Sequence, residues 1–337
     1  MRNIITKLKS GKNLTSDEAF KIQEEIISGN LSKYEIIKIF ELFERKEMTD
    51  EEFIGITRAT RENMIKVDAD FDCLDNCGTG GDGLNTFNIS TVSAIICASA
   101  GIPMAKHGNR AASSKCGSAD VLEELGIKID LNAEQAKKCL NNCGIVFMFA
   151  PNFHPALKYV KNARIEYGKR TYFNILGPML NPAEVKRQLI GVSDKSKIRI
   201  IGSALLRTGS KRVIIIHSDE GMDEISVAKD TQIFDFKQGR EMIKYAVNPK
   251  DFGFDVYNLE EIKGGDKKQN AKIFLDILKN KASDAQLAAA VLNSAAAMLA
   301  FGKVDSILKG IELAKGQIKT GKALEKLNEF IKVSNNL

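Results

Sequence analysis

The sequence predicts an α/β fold, a mostly parallel central sheet flanked by helices, with a smaller all-helical domain formed by the N-terminal segment plus part of the following chain. Three observations lead there. Residues 1–66 carry no strand pattern but repeat helix-start signals, short apolar runs alternate with helical periodicity from about residue 72, and 337 residues is room for about two domains. The division expected is a helical domain over 1–66, with a few later helices, and an α/β catalytic domain over 70–337.

Thr15 with Glu18, Ser32 with Glu35 and Thr49 with Glu52 each match the S/T-x-x-E capping box and mark three helix starts. Ile36, Ile37, Ile39, Phe40 and Phe43 recur at three and four residues as a packing stripe. Strands are expected at 72–77, 102–105, 145–149, 187–192 and 212–217, and helices at 90–100, 118–125, 133–142, 155–168 and 195–207. A small hairpin is expected from 225–228 and 232–236. Helices return at 268–279, 283–301 and 304–332, the last broken near Gly316 or Gly321, with part of this tail rejoining the N-terminal helices.

Lysine and arginine exceed acidic residues by 49 to 43, but both signs are interspersed and no basic run with interleaved aromatics appears. That argues against nucleic acid and suits a small anionic ligand. The start lacks a signal peptide's apolar core, and the apolar stretch 284–301 holds Asp284, Gln286 and Asn293, which reads as a buried helix rather than a bilayer span. A cytoplasmic protein without a membrane partner is expected. Cys73/Cys77 and Cys139/Cys143 are pairs spaced by four that could in principle share a zinc ion; buried thiols in a reducing compartment are the default for these and for Cys97 and Cys116.

Gly78-Thr79-Gly80-Gly81-Asp82-Gly83 follows a strand and precedes a helix opening at Asn88-Ile89-Ser90-Thr91. It matches a dinucleotide fingerprint by pattern only: Lys106 stands where an acidic ribose ligand belongs, Asp82 would repel a bare pyrophosphate, and no Gly-Lys-Ser/Thr closes a Walker loop. What remains is a glycine turn whose N–H groups can approach an anion, with Asp82 meeting a cation, a ribose hydroxyl or an amine; a plain strand-to-helix turn is the alternative. Lys106-His107-Gly108-Asn109-Arg110, continued by Ser113, Ser114, Lys115, Gly117 and Ser118, combines charge, hydroxyls and room as a phosphate requires. Both loops fall at the carboxyl ends of adjacent strands, where open α/β sheets bind ligands.

Asp219, Glu220, Asp223 and Glu224 crowd four carboxylates just past a strand, which calls for magnesium shared with substrate phosphates or else for plain solvation. The strand 144–150, then Pro151, His154 and Arg164, leads to Arg170-Thr171-Tyr172-Phe173-Asn174-Ile175-Leu176-Gly177-Pro178, where an arginine beside apolar residues could hold a carboxylate or make a structural salt bridge. The histidines are too scattered for a zinc triad, and none has a serine or cysteine partner for covalent catalysis.

GTGGD at 78–82, NIST at 88–91, KHGNRAASS at 106–114, GSAD at 117–120, RTYFNILGP at 170–178 and DE at 223–224 together resemble the anthranilate phosphoribosyltransferases, of the nucleoside phosphorylase type of phosphoribosyltransferases. The resemblance implies transfer of the 5-phosphoribosyl group of phosphoribosyl pyrophosphate to anthranilate in tryptophan biosynthesis. It implies donor binding by Gly78, Gly80, Gly81, Asp82, Thr86, Asn88, Ser90, Thr91, Lys106, His107, Gly108, Asn109, Ser114 and Ser118. Anthranilate would meet Gly78, His107, Asn109, Ala150, Pro151, His154, Arg164 and Gly177. Ser90, Asp223 and Glu224 would hold magnesium, two ions per subunit, and the helical domain would form a homodimer interface. It implies no acid/base residue; Arg164, Asn109 and His107 position the acceptor. Ser218 and Glu220 stand where the family usually has glycine and aspartate, which bears on loop shape alone. The rivals are a pyrimidine nucleoside phosphorylase-like enzyme, which would carry Lys-His-Ser rather than Lys-His-Gly-Asn-Arg, and a non-catalytic nucleic-acid-binding paralogue.

Overall fold

The computed structural model describes residues 2–111 and 115–337. The chain opens with α1 (Arg2–Lys9), α2 (Ser16–Ile27), α3 (Lys33–Lys46) and α4 (Asp50–Glu62). All three capping boxes form: Thr15, Ser32 and Thr49 accept from the N–H groups of Glu18, Glu35 and Glu52, whose carboxylates accept in return from the cap N–H groups. Glu52 is also fully buried, accepting from Leu14 N at 2.7 Å and pairing with Lys46 at 2.7 Å, so it anchors the lead-in to α2 as well.

Next come β1 (Leu74–Gly78), α5 (Ile89–Ser99), β2 (Met104–Gly108), α6 (Ser118–Glu124), α7 (Ala133–Cys143) and β3 (Ile145–Phe149). They are followed by α8 (Ala150–Phe153), α9 (Lys158–Tyr167), α10 (Phe173–Leu176), β4 (Arg187–Gly191), α11 (Ile198–Arg207), β5 (Arg212–Ser218), β6 (Thr231–Lys237) and β7 (Ile243–Val247). Helices α12 (Lys267–Leu278), α13 (Asp284–Phe301), α14 (Ile307–Lys319) and α15 (Lys322–Asn335) complete the chain. The sheet order is β3-β2-β1-β4-β5-β6-β7, parallel through β5 and antiparallel beyond. Strand order reverses direction between β1 and β4, which makes the crevice at their carboxyl ends the expected ligand position.

Successive residues of β5 feed two cores: Ile214 and Ile216 join one with α5, α7, α13 and α15, while Val213 and Ile215 join another with α2, α3, α4, α9 and α11. The N-terminal helices therefore share their core with later helices and one face of the sheet. Arg61 Nε and Nη1 donate to Met179 O at 2.6 Å and Thr208 O at 3.1 Å, and Tyr172 Oη donates to Gln23 Oε1 at 2.9 Å. Helix α13 is the one described helix long and apolar enough to cross a membrane, but 78% of it is buried in the core, with alanines admitting its neighbours closely.

Two expectations are corrected. Residues 225–228 form no strand, because side chains satisfy their backbone: Asn293 Oδ1 accepts from Ile225 N, Thr231 Oγ1 from Ser226 N, and Ser226 Oγ from the N–H groups of Ala228 and Lys229. The hairpin is β6–β7 instead, its second strand, IKYAV, a mostly exposed edge. The tail breaks at Gly321, where φ is +79°, and its halves pack on α5, α7 and α13 rather than on the N-terminal helices. All six cysteines are free thiols; Cys139 and Cys143 lie 3.9 Å apart, sulfur to sulfur, and among the described residues no cluster of three or more His, Cys, Asp or Glu could hold a metal by itself.

Candidate active site

The crevice holds a cavity of about 460 Å³ walled by the glycine turn after β1, the start of α5, the Lys106–Ala111 loop, residues 116–118, Arg170, Asn174, Asp223 and Glu224. Gly78 and Gly191 pair across β1 and β4, and both are glycine for the same reason. A Cβ at Gly78 would lie 2.2 Å from Asp223 Oδ2, and one at Gly191 would lie 1.6 Å from the Asp223 carbonyl oxygen. The strand ends are pared to backbone so that the acidic turn can pass.

Asp223 Oδ2 accepts from Gly80 N at 2.7 Å, and Glu224 Oε1 accepts from Ser90 N at 3.1 Å, at a helix N-terminus that Asn88 leaves without a side-chain cap. Burial, then the adjacent Asp82 carboxylate, raises Asp223 to about 6; burial, then Asp223, raises Glu224 to about 8. Ionising both carboxylates together is opposed by burial and by their mutual repulsion, which a bound cation would offset. Thr91 Oγ1 and Asn88 Oδ1 are buried beside them with no partner among the described residues, two polar atoms suited to a ligand's hydroxyls.

Lys106 is buried at the end of β2, its ammonium donating to Asn76 O and, at 3.4 Å, to Asn76 Oδ1, while Asn76 Nδ2 donates to Ser90 O at 2.7 Å. One network thus joins the cation of β2, the strand β1 and the first turn of α5. Arg110 is engaged otherwise: it pairs with Asp120 and Glu123 at 2.9 Å each, so it braces α6 instead of adding free charge.

Gly78, Gly80, Gly81, Asp82, Thr86, Asn88, Ser90, Thr91, Lys106, His107, Gly108, Asn109 and Ser118 all line this one cavity with Asp223 and Glu224. Ser113 and Ser114 lie outside the described residues. Ala150, Pro151, His154, Arg164 and Gly177 do not line it. His107 is the joint between the two groups, since its Nε2 lies 3.2 Å from His154 Nε2 and the Gly177 backbone opposes the lowering of its pKa. Burial depresses both rings, His154 to about 4 and His107 well below its ordinary value, so the pair is neutral at pH 7. Arg164 is exposed, its guanidinium 5.6 Å from the Phe173 ring centre. Arg170 and Asn174, read from the sequence as part of the acceptor-side loop, also wall this cavity, as do Asn85 and Phe87, which the sequence reading did not single out.

A doubly wound sheet with a glycine turn, a buried lysine and paired carboxylates at its switch point defines a glycosyl transferase built around an anionic sugar donor. The glycosyl transferase helical bundle domain matches residues 2–64, and the glycosyl transferase a/b domain matches 70–324. The chain belongs to the anthranilate phosphoribosyltransferase family: it is 44% identical to the anthranilate phosphoribosyltransferase of Dehalococcoides mccartyi over 100% of this chain and 99% of that one. The crystal structure of the Thermus thermophilus anthranilate phosphoribosyltransferase superposes with a TM-score of 0.93 at 32% identity, covering 98% of this chain and 99% of the other. The Saccharomyces cerevisiae enzyme in complex with phosphoribosyl pyrophosphate and magnesium gives 0.92 at 26% identity, covering 99% and 98%.

Proposed function

We propose that this chain transfers the 5-phosphoribosyl group from phosphoribosyl pyrophosphate to anthranilate, giving N-(5-phosphoribosyl)anthranilate and pyrophosphate, a step of tryptophan biosynthesis. The observation that carries it is the contact of Asp223 and Glu224 with the glycine turn and the α5 N-terminus, inside one cavity with Lys106. Asp223, Glu224 and Ser90 hold magnesium in this reading, as two ions. When bound, magnesium neutralises charge on the departing diphosphate. Lys106 and the free N–H groups of the turn share the phosphate charge, while the Asn88 and Thr91 oxygens meet the ribose.

The acceptor sits on the His107–His154 side, its carboxylate on Arg164, with Asn109, Gly78, Gly177, Ala150 and Pro151 around the ring. The neutral histidine pair fits chemistry that needs no base before attack: the arylamine is already a nucleophile and loses its proton afterwards. Inversion at the anomeric carbon follows from placing amine and diphosphate on opposite faces. The helical segment 1–66 and the domain 70–337 form one subunit of a homodimer joined through the helices. Six free thiols accord with a reducing, cytoplasmic setting.

The test is pyrophosphate release from phosphoribosyl pyrophosphate, with and without anthranilate and magnesium. Release requiring all three supports the reading. Phosphorolysis of a pyrimidine nucleoside, or salt-sensitive nucleic-acid binding without turnover, would replace it.

A further inference from the structure

The glycine turn is held by two residues on separate elements, Arg170, which walls both the donor cavity and the neighbouring one, and Ser193, which walls only the neighbour. Arg170, on the loop ahead of α10, donates from Nη2 to Gly80 O at 3.3 Å and Gly81 O at 3.1 Å. Ser193, just after β4, donates from Oγ to Gly80 O at 3.0 Å and from its own N–H to Thr79 Oγ1 at 3.2 Å. A trans peptide points its N–H opposite to its C=O. The carbonyl of Gly80 shares a peptide with the N–H of Gly81, and the carbonyl of Gly81 shares one with the N–H of Asp82. Pinning both carbonyls to the Arg170 side therefore turns those two N–H groups the other way, where no described residue accepts them. The N–H of Gly80, by contrast, is already taken by Asp223.

Left alone, the turn would not keep this orientation. Gly80 and Gly81 have φ of +68° and +74°, a region that glycine enters and leaves freely. A Cβ at Gly81 would lie 2.2 Å from Arg170 Nη2, so glycine is what lets the guanidinium close on the backbone. Arg170 makes no close salt bridge among the described residues, unlike Arg110; its charge also reaches the Asp194 carboxylate, while its hydrogen bonds go to the two carbonyls.

We propose that Arg170 and Ser193 are positioning residues that hold the Gly80 and Gly81 carbonyls on their own side of the turn and so aim the N–H groups of Gly81 and Asp82 at the donor's diphosphate, a role that rests on the reading of this cavity as the phosphoribosyl pyrophosphate site. The experiment is calorimetric titration of the full chain with magnesium pyrophosphate and, separately, with ribose 5-phosphate, which lacks the diphosphate. Arg170→Ala is expected to weaken magnesium pyrophosphate about tenfold, leave ribose 5-phosphate within about twofold, and recover part of the loss in millimolar guanidinium. Ser193→Ala should cost about threefold, and the double variant less than the product of the two, because both residues hold the same carbonyl. Unchanged pyrophosphate affinity in Arg170→Ala, equal loss of both ligands, or full multiplicativity in the double variant would overturn the positioning role alone. Failure of the unmutated chain to bind magnesium pyrophosphate would overturn the site reading with it.

Discussion

Gly191 offers the most direct test of how the acidic turn is seated. A Cβ there would stand 1.6 Å from the Asp223 carbonyl oxygen and 2.4 Å from its carbon. Reaching even the 3.0 Å floor of real contacts requires a withdrawal of about 1.4 Å, that is 3.0 minus 1.6. Strand β4 cannot supply it, being paired with β1 and β5 along its length from Arg187 to Gly191. The acidic turn must move instead, and the 2.7 Å bond from Gly80 N to Asp223 Oδ2 stretches out of hydrogen-bond range. A displacement on the order of 1 Å at a positioned catalytic group costs roughly 100-fold in rate, while overpacking costs about 1–3 kcal/mol of stability, a few degrees of melting temperature. Gly191→Ala should therefore stay folded yet release pyrophosphate about 100-fold more slowly per unit of donor and need more magnesium to do so. A folded variant with normal rate and normal magnesium dependence would show that the glycine does not seat Asp223.

Glu224→Gln should raise the melting temperature of the magnesium-free protein at pH 8 by a few degrees while abolishing turnover. A carboxylate raised to about 8 in the fold keeps its proton after the unfolded chain has lost its own, so the apoprotein loses stability from about pH 4 upward, and a lower melting temperature for the variant at pH 8 would contradict this. Arg164→Ala should raise the anthranilate KM tenfold or more and leave donor affinity unchanged in a binding assay, since the substrate carboxylate loses its cation; loss of donor affinity alone would contradict that role. Gly316→Ala, inside α14 with nothing within 4 Å of its would-be Cβ, should stabilise by about 0.4–1 kcal/mol in denaturant titration without changing activity, and destabilisation would refute the reading.

The same contrast shows what a sequence can display. Capping boxes and the five parallel strands are local patterns, and each is legible to within three residues at its ends because its cause lies within its own segment. The donor loops were legible because their residue types have few other uses together. Gly191 read only as the end of a strand, and its reason is a backbone carbonyl 32 positions on, which no pattern announces. Arg170 and Ser193 bond to carbonyls 89 to 113 residues away, so their role exists only once the sheet is assembled. Arg110 could have been read better: Asp120 and Glu123 lie on the first helix after its loop, close enough to neutralise it. The hairpin was misplaced because Asn293, far along the chain, supplies the bonds that keep 225–228 out of the sheet.

The two halves of the site belong to different cores. Donor residues stand on strand ends and on α5, within or beside the core that contains α13. Arg164, Tyr172 and Phe173 stand on α9, α10 and the loop between them, where Tyr172 and Phe173 meet Phe40 of α3 at 5.8 and 5.9 Å, centre to centre. Arg170 lies on that same loop yet bonds to the glycine turn. The helical segment therefore packs against the stretch that carries Arg164 at one end and, through Arg170, bonds to the glycine turn at the other. A transfer that depends on placing two substrates on opposite faces of one carbon needs such a member, and the 164–173 stretch, like the end of β4 with Ser193, bonds to the glycine turn while packing in the helical core.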